Sequence, residues 1–137
     1  MNVFPWPDSY TAAASLTFDF DAETVWVGLD PDNAKRPGVL SLGHYGARVG
    51  APLILDLLAR HEVRATFFVV GQNVERYPHV VERMIGDGHE VAVHGYTHTS
   101  PQLLSEQQEE DELKRTIELL TGKGADVTGY RSPSWDV

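Results

Sequence analysis

Four short runs of β-branched or aromatic residues alternate with helix signals, and this alternation limits the fold more than any other feature of the chain. The runs are residues 15–20 (SLTFDF), 65–71 (ATFFVVG), 90–94 (EVAVH) and 127–132 (VTGYRS), with the composition of buried strands. Residues 51–61 carry Pro52 in the first turn and apolar side chains at 53, 54, 57 and 58, a helical stripe. Pro78 opens a second helix bearing Val80, Val81, Met84 and Ile85, and Gly88 is placed to be its left-handed stop. SEQQ at 105–108 has the form of a capping box and opens a third helix to about Leu120. Its acids (Glu106, Glu109, Glu110, Asp111, Glu112) precede Lys114, Arg115 and Lys123, the order that the helix dipole favours, and the run reads as a solvated face. Residues 21–50, with two prolines, five glycines and no sustained period, read as a long loop of the kind that carries function. Strand and helix in strict alternation specify a parallel α/β sheet.

In such sheets the chemistry gathers at the carboxyl ends of the strands. Asp19 and Asp21 leave the first run there, His94 and His98 the third, and Arg131 the fourth. Residues two apart on a strand share a face, so Asp19 and Asp21 can look into one site while Phe18 and Phe20 look away. Two carboxylates side by side call for a cation, and a divalent metal beside His94 and His98 would supply it. Each element also has a plainer explanation. An isolated H-x-x-x-H is a weak signal in a chain with six histidines, and alone it reads first as a solvated or core pair. The D-x-D could be a helix cap and a turn acid, and Tyr130 and Trp135 could be core. Gly95 after His94 excludes H-E-x-x-H metalloprotease chemistry.

Composition removes other classes. A net charge of −9 argues against a nucleic-acid partner, and favours a neutral or cationic substrate. With no cysteine, any metal must be held by histidine and carboxylate. No stretch approaches a membrane span, and MNVFPWPDSYTAAAS lacks the basic and apolar regions of a secretion leader, so a cytoplasmic location is expected.

LTFDFDAE (16–23), HGYTH (94–98) and YRSPSW (130–135), in this order and separation, resemble the first three motifs of the polysaccharide deacetylases, carbohydrate esterase family four. GHYGARVGAPLIL (43–55) is similar to the branch that holds peptidoglycan deacetylases without a secretion signal and allantoinase-like relatives acting on cyclic ureides. The resemblance implies a distorted (β/α) barrel and a metal-dependent hydrolase of non-peptide carbon–nitrogen bonds, removing N-acetyl groups from a glycan such as peptidoglycan. A small ureide is the alternative substrate, and a non-catalytic metal- or glycan-binding fragment the alternative class. It implies Asp21, His94 and His98 as metal ligands, Asp19 as general base, Arg131 as its orienting partner, and Trp135 and Tyr96 as substrate-facing residues. The family's usual motif has two adjacent aspartates; here Phe20 separates them, which leaves the division of roles between Asp19 and Asp21 open.

With three protein ligands, a divalent ion, Zn²⁺ or alternatively Co²⁺, Ni²⁺ or Fe²⁺, keeps an open position for water and substrate. The backbone N–H of Ser134, just after Pro133, is placed to hold the developing oxyanion. The family's general acid is a histidine in a later motif, and this sequence ends at SPSWDV before it. A full barrel needs about 200 residues or more, so residues 1–137 are expected to be one truncated domain, roughly the first half of a barrel. Such a chain is expected to be marginally stable, self-associating and poorly active, unless a homo-oligomer supplies the missing walls.

Overall fold

The computed structural model describes residues 10–136. Most of the segment on which the leader reading rests, residues 1–9, lies outside them. Three strands, β1 (Thr17–Phe20), β2 (Thr66–Val69) and β3 (Glu90–Val93), form one parallel sheet in the order β1-β2-β3. The links between them are helical, as a parallel pairing requires. Among the described residues, no helix is long and apolar enough to cross a membrane.

Residues 21–50 are not the long loop that their glycines and prolines suggest. They form α1 (Thr24–Leu29), a 3-10 turn (Pro31–Lys35), α2 (Pro37–Tyr45) and a π turn (Gly46–Gly50) that runs straight into α3 (Ala51–Arg60). Both prolines stand at first-turn positions, where a missing N–H costs nothing. The period was hidden because the buried face is built from small residues: Gly43, Ala47, Ala51, Leu55 and Leu58 are the buried positions of α2, the π turn and α3. Small residues are required there by close approach. A Cβ on Gly43 would lie 2.4 Å from the Glu23 Cα.

After β2 the chain turns at once into α4 (Gly71–Arg76), a short helix without a readable stripe, and then into α5 (Pro78–Gly86). Gly88 follows at φ 78°, the left-handed stop. The long helix α6 (Glu106–Gly122) starts with a true capping box: the Ser105 hydroxyl accepts from the Gln108 N–H, and the Gln108 side chain accepts from the Ser105 N–H. The fourth run is shorter than expected. It reaches the sheet through a single parallel bridge, Val93 to Tyr130, held by Val93 N–H to Gly129 C=O and Arg131 N–H to Val93 C=O, both 3.0 Å. Pro133 bars its extension, since it has no N–H and restricts Ser132 before it.

The core lies between the sheet and the helices and is built on Leu55, Phe67, Val69, Val81, Met84 and Leu120, none more than 1% exposed. Truncating such a residue removes its transfer free energy and leaves a cavity. Leu55→Ala is therefore expected to cost about 2–5 kcal/mol in chemical denaturation. Leu53→Ala, on the outer face of the same helix and 56% exposed, should stay within about 0.5 kcal/mol of the parent. Equal losses at the two positions would contradict this packing.

Candidate metal centre

The ladder sets Phe20 opposite Val69 and Val69 opposite Val93. Asp21 and His94, each the next residue along, are thereby delivered to one row at the carboxyl edge, on either side of Val70. The Asp21 end is bolted from α4: the fully buried Asn73 donates from its Nδ2 to the carbonyls of Phe20 (2.9 Å) and Asp21 (2.7 Å). The Thr24 N–H closes the turn onto the Asp21 carbonyl at 2.9 Å. Within this turn the buried Glu23 accepts from the Tyr77 hydroxyl at 2.8 Å and from Arg76 at 3.1 Å.

HGYTH doubles back on itself instead of continuing as a helix. Gly95 stands at φ 71° and His98 at φ 63°, so both histidines return to the same point. The N–H groups of Gly71 and Gln72, in the first turn of α4, donate to the carbonyls of Gly95 and Tyr96, each at 3.0 Å. The wall behind His98 is α1: a Cβ on Gly28 would lie 2.3 Å from the His98 carbonyl oxygen.

Asp21, His94 and His98 form a cluster whose ligand atoms all lie within 4.8 Å of one another. The Nε2 atoms of His94 and His98 each stand 3.6 Å from an Asp21 carboxylate oxygen. His94 is fixed from behind, its Nδ1 lying 2.7 Å from the Arg131 carbonyl. A carbonyl only accepts, so Nδ1 carries the proton and the Nε2 lone pair points at the cluster. Burial pushes the Asp21 carboxyl up, opposed by His98 and His94 and reinforced by Asp19. Burial likewise pushes the His98 imidazole down, against the pull of Asp21.

These observations favour a ligand set over an ion pair. Hydrogen-bonded ion pairs close to about 2.7–2.9 Å, so 3.6 Å is too long for imidazolium on carboxylate. The Asp21 Oδ1 is buried without a hydrogen-bond partner, an arrangement that costs about 1–3 kcal/mol or more where nothing compensates it. Donor atoms around a tetrahedral ion with bonds of about 2.0–2.1 Å stand roughly 3.3 Å apart, against 3.6 Å from each imidazole nitrogen to its Asp21 oxygen and a spread within 4.8 Å for the set. The three residues fit a divalent cation of the zinc type.

Asp19, on the same face of β1, meets the Arg131 guanidinium, whose other arm donates to the Thr17 hydroxyl at 3.0 Å. That guanidinium lies between two rings, 3.9 Å from the Phe68 centroid and 4.5 Å from that of Trp135. Trp135 is 71% exposed beside it, in a turn where Ser134 and Trp135 both take φ 58°. Tyr96 departs from its expected place among substrate-facing residues. Its hydroxyl donates to Glu75 at 2.8 Å and its ring lies 4.0 Å under the Arg115 guanidinium, so both ends are engaged on the α4–α6 surface. A cavity of about 740 Å³ is at the other edge of the sheet, lined by Leu16, Thr66 and Glu90, and holds none of this cluster.

A sequence profile of the polysaccharide deacetylase family matches residues 40–136. The chain belongs to the polysaccharide deacetylase family. It is 36% identical over 121 residues to a peptidoglycan deacetylase of Helicobacter pylori, covering 86% of this chain and 40% of that protein. To a peptidoglycan-N-acetylglucosamine deacetylase of Bacillus cereus it is 38% identical over 69 residues, covering 50% of this chain and 25% of that one. Among solved structures, a candidate polysaccharide deacetylase from Mycobacterium smegmatis superposes with a TM-score of 0.91 at 40% identity, over 98% of this chain and 47% of that one. The chain thus spans less than half the length of each of these relatives. Its α/β fold is part of the polysaccharide deacetylase barrel.

Asn73 and Gly28 bear on this deacetylase-family site without any motif to announce them. Only the close spacing of small residues in 21–50 could have pointed to Gly28. The network beside Asp21 has a measurable signature. Burial, then the hydrogen bond and charge of Glu23, push the Tyr77 hydroxyl from the ordinary 10 up to about 12. A folded value above the unfolded one gives stability present in full below pH 10 and lost as pH rises from 10 toward 12. Burial also pushes the Tyr96 and Tyr130 hydroxyls up, so ultraviolet titration should show Tyr77 as the last tyrosine to ionise, and Tyr77→Phe should remove that final step. A Tyr77 that ionises with the exposed tyrosines would contradict the pairing with Glu23.

Proposed function

We propose that this protein is a metal-dependent hydrolase that removes N-acetyl groups from a glycan of the peptidoglycan class. The observation that carries the reading is the Asp21, His94 and His98 cluster with an unpartnered carboxylate oxygen at its centre. The metal-dependent character rests on the donor set, and the glycan on relatives that act on peptidoglycan. Zn²⁺ suits the two imidazoles and one carboxylate; Co²⁺, Ni²⁺ and Fe²⁺ suit the same set. A bound ion supplies Lewis-acid polarisation of the acetyl carbonyl and acidifies water.

The chain's own residues supply the rest. Asp19 takes the proton of the attacking water, and Arg131, held by Thr17, Phe68 and Trp135, keeps that carboxylate aimed. The exposed face of Trp135 offers an apolar wall for the acetyl methyl, and the amide of Ser134 a donor for the oxyanion.

The division of roles between the two aspartates is tested by substitution. Asp21→Ala should lose metal, measured by elemental analysis after chelator-free purification. Asp19→Asn, made in a chain of the relatives' full length, should keep the metal and lose deacetylation of an N-acetylglucosamine oligomer by about 10²-fold or more, the scale of general-base catalysis. Metal kept in the first variant, or turnover unchanged in the second, would overturn the assignment.

A further inference from the structure

One acid of α6 is half-buried and turned away from the solvated face. The Glu112 carboxylate turns inward under the HGYTH turn and accepts three hydrogen bonds: Oε2 from the N–H groups of Tyr96 (2.9 Å) and Thr97 (3.2 Å), and Oε1 from the Thr97 hydroxyl (2.6 Å). Its neighbour Glu110 only forms an i,i+4 pair with Lys114 on the exposed side of the helix. Those three donors belong to the two residues between Gly95 and His98, which are the reason that the chain reverses at φ 71° and returns at φ 63°. The opposite side of the same turn is held by α4, and Thr116 of α6 donates to the Gly95 carbonyl at 3.2 Å.

We propose that Glu112 is a positioning residue for metal binding: by collecting the donors of the HGYTH turn it holds His98 in the left-handed conformation that brings its Nε2 to Asp21. The proposal rests on the metal reading above. A carboxylate accepting backbone N–H groups makes the stronger, charge-assisted kind of hydrogen bond, and a carboxylate one step behind a ligand commonly changes metal affinity by 10- to 100-fold. Glutamine can take over most of this. Its carbonyl oxygen accepts from both N–H groups, and its amide donates to the Thr97 hydroxyl, which is free to donate onward to the Thr99 hydroxyl 2.8 Å away.

Two readouts test this, one without metal. In the apo protein, amide hydrogen exchange of Tyr96 and Thr97 should accelerate in Glu112→Ala, while the β2 amides keep their protection. With Co²⁺ added, Glu112→Ala should bind roughly 10- to 100-fold more weakly with an altered d–d spectrum. Glu112→Gln should return to within about threefold of the parent, and Glu110→Ala should match it. If Glu112→Ala does not fold, Glu112→Asp carries the test, since one methylene less withdraws the carboxylate from the turn. A parent that binds Co²⁺ and a Glu112→Ala protein with the same affinity and spectrum would overturn the role of Glu112 alone. A parent that binds no Co²⁺ at all would overturn the metal reading, and with it this proposal.

Discussion

The in-register parallel pairing of Phe20, Val69 and Val93 is the contact on which the rest of this structure depends. One residue beyond it stand Asp21, Val70 and His94, and the His94 N–H still reaches the Val69 carbonyl at 3.0 Å. A slip of one residue in β1 or β3 would send its carboxylate or imidazole to the opposite face. The apolar packing of Phe20, Phe67, Val69 and Val93 therefore fixes the chemistry as well as the core.

Beyond the strands, the site is made of turns held by helices. α4 contributes Asn73 to the Asp21 side and its first N–H groups to the histidine side, and so ties two ligand-bearing segments to one short helix. The fully buried Asn73 and Thr116 beneath the turns spend their donors on backbone carbonyls. Buried polar groups with satisfied donors rigidify a site, and unsatisfied ones destabilise it. The Asp21 Oδ1 is buried and unpartnered at the focus of these bonds, as is the Asn73 Oδ1 beside it, and of the two only the Asp21 oxygen faces the histidine nitrogens.

The sequence disclosed what is periodic or chemically dense. Alternating strands and stripes gave the parallel sheet, and D-x-D with H-x-x-x-H marked the edge where Asp19, Asp21, His94, His98 and Arg131 gather. Position in the chain could not reveal contacts made at long separation. Glu112 sits among acids that do face solvent, and nothing in EQQEEDELK distinguishes it. The 21–50 segment concealed helices because its buried stripe uses glycine and alanine, residues that hydrophobicity counts do not register. A motif position says nothing about rotamer, and in the structure Glu75 and Arg115 hold the Tyr96 side chain on the α4–α6 surface. The fourth run stops at one bridge because Pro133 ends its ladder.

The account turns on whether one cation sits at the convergence of Asp21, His94 and His98. Anomalous diffraction at the zinc edge from crystals grown with Zn²⁺ tests this most directly. It should show a single strong peak about 2.0–2.2 Å from an Asp21 oxygen and from Nε2 of both histidines. An empty cluster with Asp21 closed onto either imidazole at hydrogen-bonding distance, or a peak bound elsewhere, would contradict it.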